Sequence, residues 1–214
     1  MNDVSPDFIT VDEHNTDEVA ILAERLLRSG KLIIIPTETV YGVAAHPGVA
    51  DGLAKLYRAK SRDRDKPIAF LAENLDAIRS CGADISATAE ALASSFWPGP
   101  LTLVLPVNGG RTEGFRIPDH DITLAILQKC GGLLRVSSAN ESGSPDALTA
   151  TDALEALSAH VDAVFDAGPA AGGTASTVVR VDRSDWEILR EGAIPRETIE
   201  NALHAAQPAS SPRP

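Results

Sequence analysis

Leu32-Ile33-Ile34-Ile35-Pro36-Thr37-Glu38-Thr39-Val40-Tyr41-Gly42 is the stretch on which the fold turns. Its four leading apolar residues follow a glycine at 30, the pattern of a strand buried on both faces. Pro36 ends the hydrogen bonding, so a loop begins where a buried strand stops. Open α/β sheets carry their ligand groups at such places. Thr37 and Thr39 flank Glu38 and, if extended, offer two hydroxyls from one face to a polar ligand. The same threonines also suit a strand-ending turn that satisfies local backbone groups.

Outward from this stretch, strands and helices alternate. Thr16 is expected to cap a helix over 16–29 that Gly30 stops, and another helix spans 49–59. Strands are expected at 68–71, at 101–105 after the Trp97-Pro98-Gly99-Pro100 turn, and at 114–117 and 133–136. Three more read at 163–165, 176–181 and 186–189. Helices fit 86–96, 119–129, a segment from Thr149 or Thr151 through Ala159, and about 196–205. The order is not strictly βαβ, so the expected fold class is α/β (α+β), a mixed sheet flanked by helices. No shift in composition divides the chain. One domain is expected over 16–206, preceded by an extension at 1–15 and followed by a polar, proline-rich tail at 207–214 that reads as disordered.

Composition narrows the function. With 43% hydrophobic residues and only strand-sized apolar runs, the 214-residue chain reads as a soluble protein without a membrane span. Met1-Asn2-Asp3-Val4-Ser5-Pro6-Asp7 lacks the basic and then apolar regions of a secretory signal, so a cytoplasmic location is expected. Cys81 and Cys130 are isolated, and the five histidines form no His-x-x-x-His pair, so no disulfide framework or structural metal is indicated. A net charge of −11 repels a phosphate backbone and argues against nucleic-acid binding over a broad face. A local basic pocket for a small anion is compatible with it.

Lys60, Arg62, Arg64 and Lys66 supply such a patch, interleaved with Asp63 and Asp65 at a helix C-terminus. Arg62 has the fork to grip phosphate or carboxylate, while Lys60 acts as a point charge; a solvated, salt-bridged loop is the plainer reading. Ser137-Ser138-Ala139-Asn140-Glu141-Ser142-Gly143 follows another buried strand, and Gly172-Gly173-Thr174-Ala175-Ser176-Thr177 precedes one, with similar side chains. Arg116 and Arg190 would complete a polyphosphate site if folding brings them in. No Gly-x-x-x-x-Gly-Lys-Ser/Thr, Gly-x-Gly-x-x-Gly or Gly-x-Ser-x-Gly pattern occurs. The residues by themselves thus point to a cleft for a small anionic or phosphorylated ligand, with its chemistry open.

From about Arg25 to Leu203 the motifs, in order, resemble the YrdC/Sua5 family of threonylcarbamoyl-AMP synthases. They are Pro36 to Gly42, Lys60-Ser61-Arg62 with Lys66-Pro67, Phe96-Trp97-Pro98-Gly99-Pro100-Leu101-Thr102, Arg116-Ile117-Pro118, Ser138-Ala139-Asn140 with Ser142-Gly143, Ser176-Thr177-Val178-Val179 and Arg190-Glu191-Gly192. The resemblance implies a YrdC-like catalytic domain with a twisted mixed sheet and a concave, positively charged cavity. It implies conversion of L-threonine, bicarbonate and ATP to threonylcarbamoyl-AMP and pyrophosphate, for N6-threonylcarbamoylation of adenosine 37 in tRNA. Mg²⁺ would arrive with ATP, without side-chain ligands from the protein, and a tRNA threonylcarbamoyl-transferase complex would take the product.

Carried onto this sequence, the catalytic residues are Lys60 and Arg62. Threonine and bicarbonate contacts fall to Thr37, Tyr41, Lys60, Arg116 and Ser176, and nucleotide contacts to Lys60, Arg62, Thr102, Ser138, Asn140 and Arg190. The chain resembles the short form of the family. Arg135-Val136 and Ala44-Ala45-His46 stand where relatives often carry small residues or glycine. The acidic balance speaks against the double-stranded-RNA affinity of some basic relatives. Two other readings are a non-catalytic RNA- or nucleotide-binding relative and a carbamoyl-transfer module.

Overall fold

The computed structural model describes residues 5–63 and 65–206. In chain order the elements are β1 (Asp7–Thr10), α1 (Thr16–Arg28), β2 (Ile33–Ile35), β3 (Gly42–Ala45), α2 (Ala50–Ala59), β4 (Phe70–Ala72), α3 (Leu75–Ser80), α4 (Ala87–Phe96) and β5 (Leu101–Val107). They continue with β6 (Arg111–Arg116), α5 (Asp121–Lys129), β7 (Leu133–Ser138), α6 (Ala150–Leu157), β8 (Ala163–Asp166), β9 (Thr177–Asp182), β10 (Asp185–Arg190) and α7 (Arg196–Ala206). Ten strands among the described residues form one mixed sheet in the order β1-β8-β2-β3-β7-β4-β6-β5-β9-β10. β2 runs parallel to β8 and antiparallel to β3, while β5 runs parallel to β9 and antiparallel to β6.

The apolar run of β2 is buried on both faces, as its sequence predicts. Ile33 and Ile35 join a core with α1 and α5, whereas Ile34 faces the opposite way into a core with α2 and α6. Period-two alternation in β8 repeats the division, with Ala163 and Phe165 on the first side and Val164 on the second. Helices therefore cover both sides of this half of the sheet.

The other half is covered once. Leu101, Leu103 and Leu105 of β5, Phe115 of β6 and Val179 and Val181 of β9 pack with α3, α4 and α7. The alternate residues Thr102, Val104, Gly114, Arg116, Val178 and Arg180 face a cavity instead. The missing helical layer is what opens the site.

Most expected elements stand within a few residues of their predicted ends. Three were not expected. β1 lies in the segment read as an extension and pairs in parallel with β8 at the sheet edge. β3 is Gly-Val-Ala-Ala, too small and weakly β-forming to signal a strand, yet it is held between β2 and β7. α3 has six residues and begins where Asn74 Oδ1 accepts from Ala77 N at 2.9 Å. Thr16 is not a cap: it is the first helical residue, and its hydroxyl donates to Asp12 O at 3.0 Å. The helix expected from 119 opens at Asp121, with His120 as its N-cap residue. The tail at 207–214 lies outside the described residues.

Arg135 has a partner. Its guanidinium lies 3.5 Å from the ring centroid of Phe70 on β4 and is bidentate to Glu113 on β6, at 2.7 and 3.0 Å. It does not line the cavity, which takes Val136 instead.

Candidate active site

The cavity has a volume of about 560 Å³. The open face of β5, β6 and β9 forms its floor, and its walls come from the Thr37–Gly42 loop, Arg62, the end of β7 and the end of β10. Arg62, Arg116, Arg180 and Arg190 line it, and no aspartate or glutamate does among the described residues.

Arg62 reaches the wall because of how α2 ends. Ser61 N donates to Arg58 O at 2.9 Å and Arg62 N to Tyr57 O at 3.0 Å, a Schellman closure with Ser61 left-handed at φ 44°. The Arg62 side chain is braced on Lys66 O and Pro67 O at 2.8 and 3.2 Å. Lys60, one residue before the turn, is 2% exposed and does not line the cavity. Its Nζ donates to Ser138 O at 2.7 Å, to Asn140 Oδ1 at 2.8 Å and to Asn140 O. Burial, with repulsion from Arg62 against a weaker pull from Asp146, lowers its pKa to about 8. Three acceptors around one nitrogen favour the three-donor ammonium.

On the facing wall Ser138 Oγ donates to Asn140 Oδ1 at 2.7 Å, and Asn140 Nδ2 donates to Ser144 O at 2.6 Å. Ser138 lines the cavity and Asn140 stands behind it. At the far wall Thr102 Oγ1 and Ser176 Oγ are 2.8 Å apart, and Arg190 Nη2 donates to Ser176 O at 2.7 Å. Gly192 permits this approach, since a Cβ there would lie 2.3 Å from Ala175 O. Burial lowers the Arg190 pKa; Asp146 opposes the shift, while Arg116 and Arg62 add to it.

The Thr37 segment is a turn. Thr37 Oγ1 donates to Val40 O at 2.6 Å, accepts from Thr39 N and Val40 N, and lies 2.9 Å from Thr39 Oγ1. Both threonines still line the cavity. Tyr41, expected to meet substrate, lines it too, while its hydroxyl donates to Gly168 O at 2.6 Å and accepts from Ala167 N at 3.2 Å. Burial pushes this phenol up to about 12.

Folding thus gathers Thr37, Tyr41, Arg62, Thr102, Arg116, Ser138, Ser176 and Arg190 on one cavity and sets Lys60 and Asn140 behind its wall. Sequence reasoning passed over Glu38 and Arg180. Glu38 Oε2 lies 2.7 Å from Arg116 Nη2. Arg180 is marked by the strand alternation Val178, Arg180 against Val179, Val181. Among the described residues no three His, Cys, Asp or Glu side chains cluster as metal ligands, and no helix is long and apolar enough to cross a membrane. The site can bind anions along its arginines and orient polar groups with its hydroxyls.

Known proteins carry the same architecture. A threonylcarbamoyl-AMP synthase of Pyrococcus abyssi is 34% identical over 207 residues, covering 92% of this chain and 60% of that one. One from Bacillus subtilis is 33% identical over 208 residues, with the same shares of 92% and 60%. The crystal structure of P. abyssi Sua5 complexed with L-threonine superposes with a TM-score of 0.84 at 31% identity, over 91% of this chain and 60% of that one. The chain therefore spans 60% of the length of these relatives. The profile of the family Sua5_yciO_yrdC, described as "Telomere recombination", matches residues 25–192, and on these grounds the chain belongs to the Sua5/YciO/YrdC family.

Proposed function

We propose that the chain is an L-threonylcarbamoyladenylate synthase, a nucleotidyltransferase that turns L-threonine, bicarbonate and ATP into threonylcarbamoyl-AMP and pyrophosphate. One observation carries the reading: Arg62, Arg116 and Arg190, from three separate elements, converge with Thr102, Ser138 and Ser176 on a cavity that no carboxylate lines among the described residues. Such a cavity is positive in an otherwise acidic protein and draws small anions rather than a nucleic-acid backbone. Relatives named for this activity, and one solved with L-threonine, support the substrate assignment.

The reaction needs no protein nucleophile. The threonine amine and bicarbonate condense to a carbamate with loss of water, and a carbamate oxygen then attacks the α-phosphorus of ATP in line as pyrophosphate leaves. Catalysis is then positioning and charge neutralisation. Arg62 and Arg190 hold the phosphates, and Ser138 and Thr102 orient the nucleotide. Thr37, Arg116 and Ser176 hold threonine and the bicarbonate-derived carboxylate. Lys60 contributes charge from behind the wall and braces Ser138 and Asn140.

The wall's oxygen donors are neutral hydroxyls and carbonyls, so Mg²⁺ suits this site as the MgATP substrate, with phosphate oxygens supplying the charge. We assign residues 16–206 as the catalytic unit, with β1 extending its sheet. We expect it to act in the cytoplasm and pass its product to a tRNA threonylcarbamoyl-transferase complex.

The test is mass spectrometry on protein incubated with L-threonine, bicarbonate, ATP and Mg²⁺ and quenched at once. Threonine-dependent threonylcarbamoyl-AMP with matching pyrophosphate is the expected result. Folded protein that binds ATP and yields neither would overturn the assignment.

A further inference from the structure

We infer that the Trp97-Pro98-Gly99-Pro100 turn is the positioning element of the site, with Trp97 as a positioning residue, because its backbone sets Arg116 and Ser176 in fixed places on either side of Thr102. This rests on those three residues holding substrates as proposed above. β6, β5 and β9 are neighbours in the sheet, and their register puts Arg116, Thr102 and Ser176 at the same end, where the turn enters β5. None of the four turn residues lines the cavity, so the turn acts on the reaction only through what it holds.

Gly99 grips the end of β6 twice. Its N donates to Ile117 O at 2.8 Å, and its O accepts from Arg116 Nε at 3.1 Å, which fixes the root of the planar guanidinium. Only glycine fits here, since φ is 153° and a Cβ would lie 2.7 Å from Phe96 O. Pro100 O accepts from Thr177 N at 3.0 Å, which holds Ser176 Oγ 2.8 Å from Thr102 Oγ1. Arg190 Nη2 donates in turn to Ser176 O, so both sides of the floor are tied to this one turn.

The turn is stiff. Its prolines lock two φ angles, and its two backbone N–H groups are both spent, Trp97 N on Ala93 O at the end of α4 and Gly99 N on Ile117 O. The Trp97 ring packs on the core shared with α4 and α7, and its Nε1 donates to Leu101 O at 2.7 Å. Helix, turn and the first residue of β5 thus form one braced unit. A shift of that unit would move Arg116 and Ser176 relative to Thr102 and misalign two bound substrates, which costs turnover more than the binding of either.

Trp97→Phe keeps a ring against the core and removes the donor. Steady-state kinetics with L-threonine, bicarbonate and MgATP, and urea unfolding of the same full chain, test its role. The expected result is a kcat about tenfold lower, with KM for threonine and for ATP each within about threefold, in protein that is folded without denaturant. A residue that only supports packing would lower the unfolding midpoint and leave kcat within about twofold of wild type, and that result overturns the inference. So does a tenfold rise in either KM at unchanged kcat. If the phenylalanine variant does not fold, 3-benzothienylalanine incorporated at position 97 keeps the shape of the indole and lacks only the N–H; it should show the same loss of kcat, and full turnover overturns the inference. A wild-type chain that makes no product would defeat the synthase assignment and this inference with it, whereas a fully active variant beside active wild type defeats this inference alone.

Discussion

Lys60 Nζ donates to Asn140 Oδ1 at 2.8 Å and to Ser138 O at 2.7 Å, which ties the end of α2 to the end of β7 across 78 to 80 residues of sequence. The wall that carries Ser138 is therefore held by the same ammonium that the motif suggests for phosphate binding. Lys60→Ala would take the ammonium away from Ser138 O and Asn140 O and leave Asn140 Oδ1 only the Ser138 hydroxyl, at a cost of about 1–3 kcal/mol. Urea unfolding should register that loss, and product formation should fall far more steeply than stability. A variant with full activity would remove Lys60 from the site.

The same ammonium sets a pH limit. Its pKa is lowered to about 8, mainly by burial, so the charged three-donor form dominates below that value and is lost above it. kcat/KM for ATP should decline as pH rises through about 8. The sign for stability is opposite, because a folded pKa below the unfolded one makes the unfolded chain bind more protons between the two values, and stability rises with pH there. Lys60→Arg should move the activity limb out of the accessible range, and a limb unchanged in that variant would assign it to another group.

Gly192 tests how closely β10 must approach Ser176. A Cβ at this position would lie 2.3 Å from Ala175 O and 2.5 Å from Ser176 C, and backbone atoms cannot yield as side chains do. Gly192→Ala should push Arg190 off Ser176 and cost about 10²-fold in kcat/KM, the scale of an ångström's misplacement. Circular dichroism should stay native. Activity within twofold of wild type would show that the Arg190 contact is not needed.

How much of this was legible depends on the range of each signal. Leu32 to Ile35 announced a doubly covered strand because every residue is apolar. The open face of the other half was written in the alternation of Leu101, Leu103 and Leu105 with Thr102 and Val104, but only the structure shows that, among the described residues, no helix covers the second set. β1 escaped because four residues pair with a strand more than 150 positions away. Of the four arginines that line the cavity, Arg62, Arg116 and Arg190 were visible as members of ordered motifs, and Arg180 was not. Their partners were not: local pattern carries no trace of Glu38 facing Arg116, or of Lys60 turning to Ser138 and Asn140.

Tyr41→Phe separates a structural from a substrate role for the phenol. The hydroxyl bridges Gly168 O and Ala167 N and, with its pKa near 12, remains a neutral donor across the working range. Removing it should cost about 1–2 kcal/mol by leaving both groups without this partner. KM for threonine should stay within about twofold, since the lost bond belongs to the loop after β8. A tenfold rise in KM at unchanged stability would return the hydroxyl to the substrate.

Arg135 should matter to the fold and not to the chemistry. Its guanidinium stacks on Phe70, which itself stacks on Phe115 with centroids 5.5 Å apart, and the fork closes on Glu113, so one side chain joins β7, β4 and β6. The side chains of Arg135 and Glu113 are 15% and 18% exposed, and removing one partner leaves a poorly solvated charge. Either Arg135→Ala or Glu113→Ala should cost about 3 kcal/mol. Replacing both with apolar residues of similar volume, Arg135→Met with Glu113→Leu, should recover much of the loss, because the desolvation of both charges disappears with their attraction. Chemical denaturation of the two single variants and the double variant measures this coupling. If the double loss equals the sum of the single losses, the pair is not coupled and the three strands are held by ring packing alone.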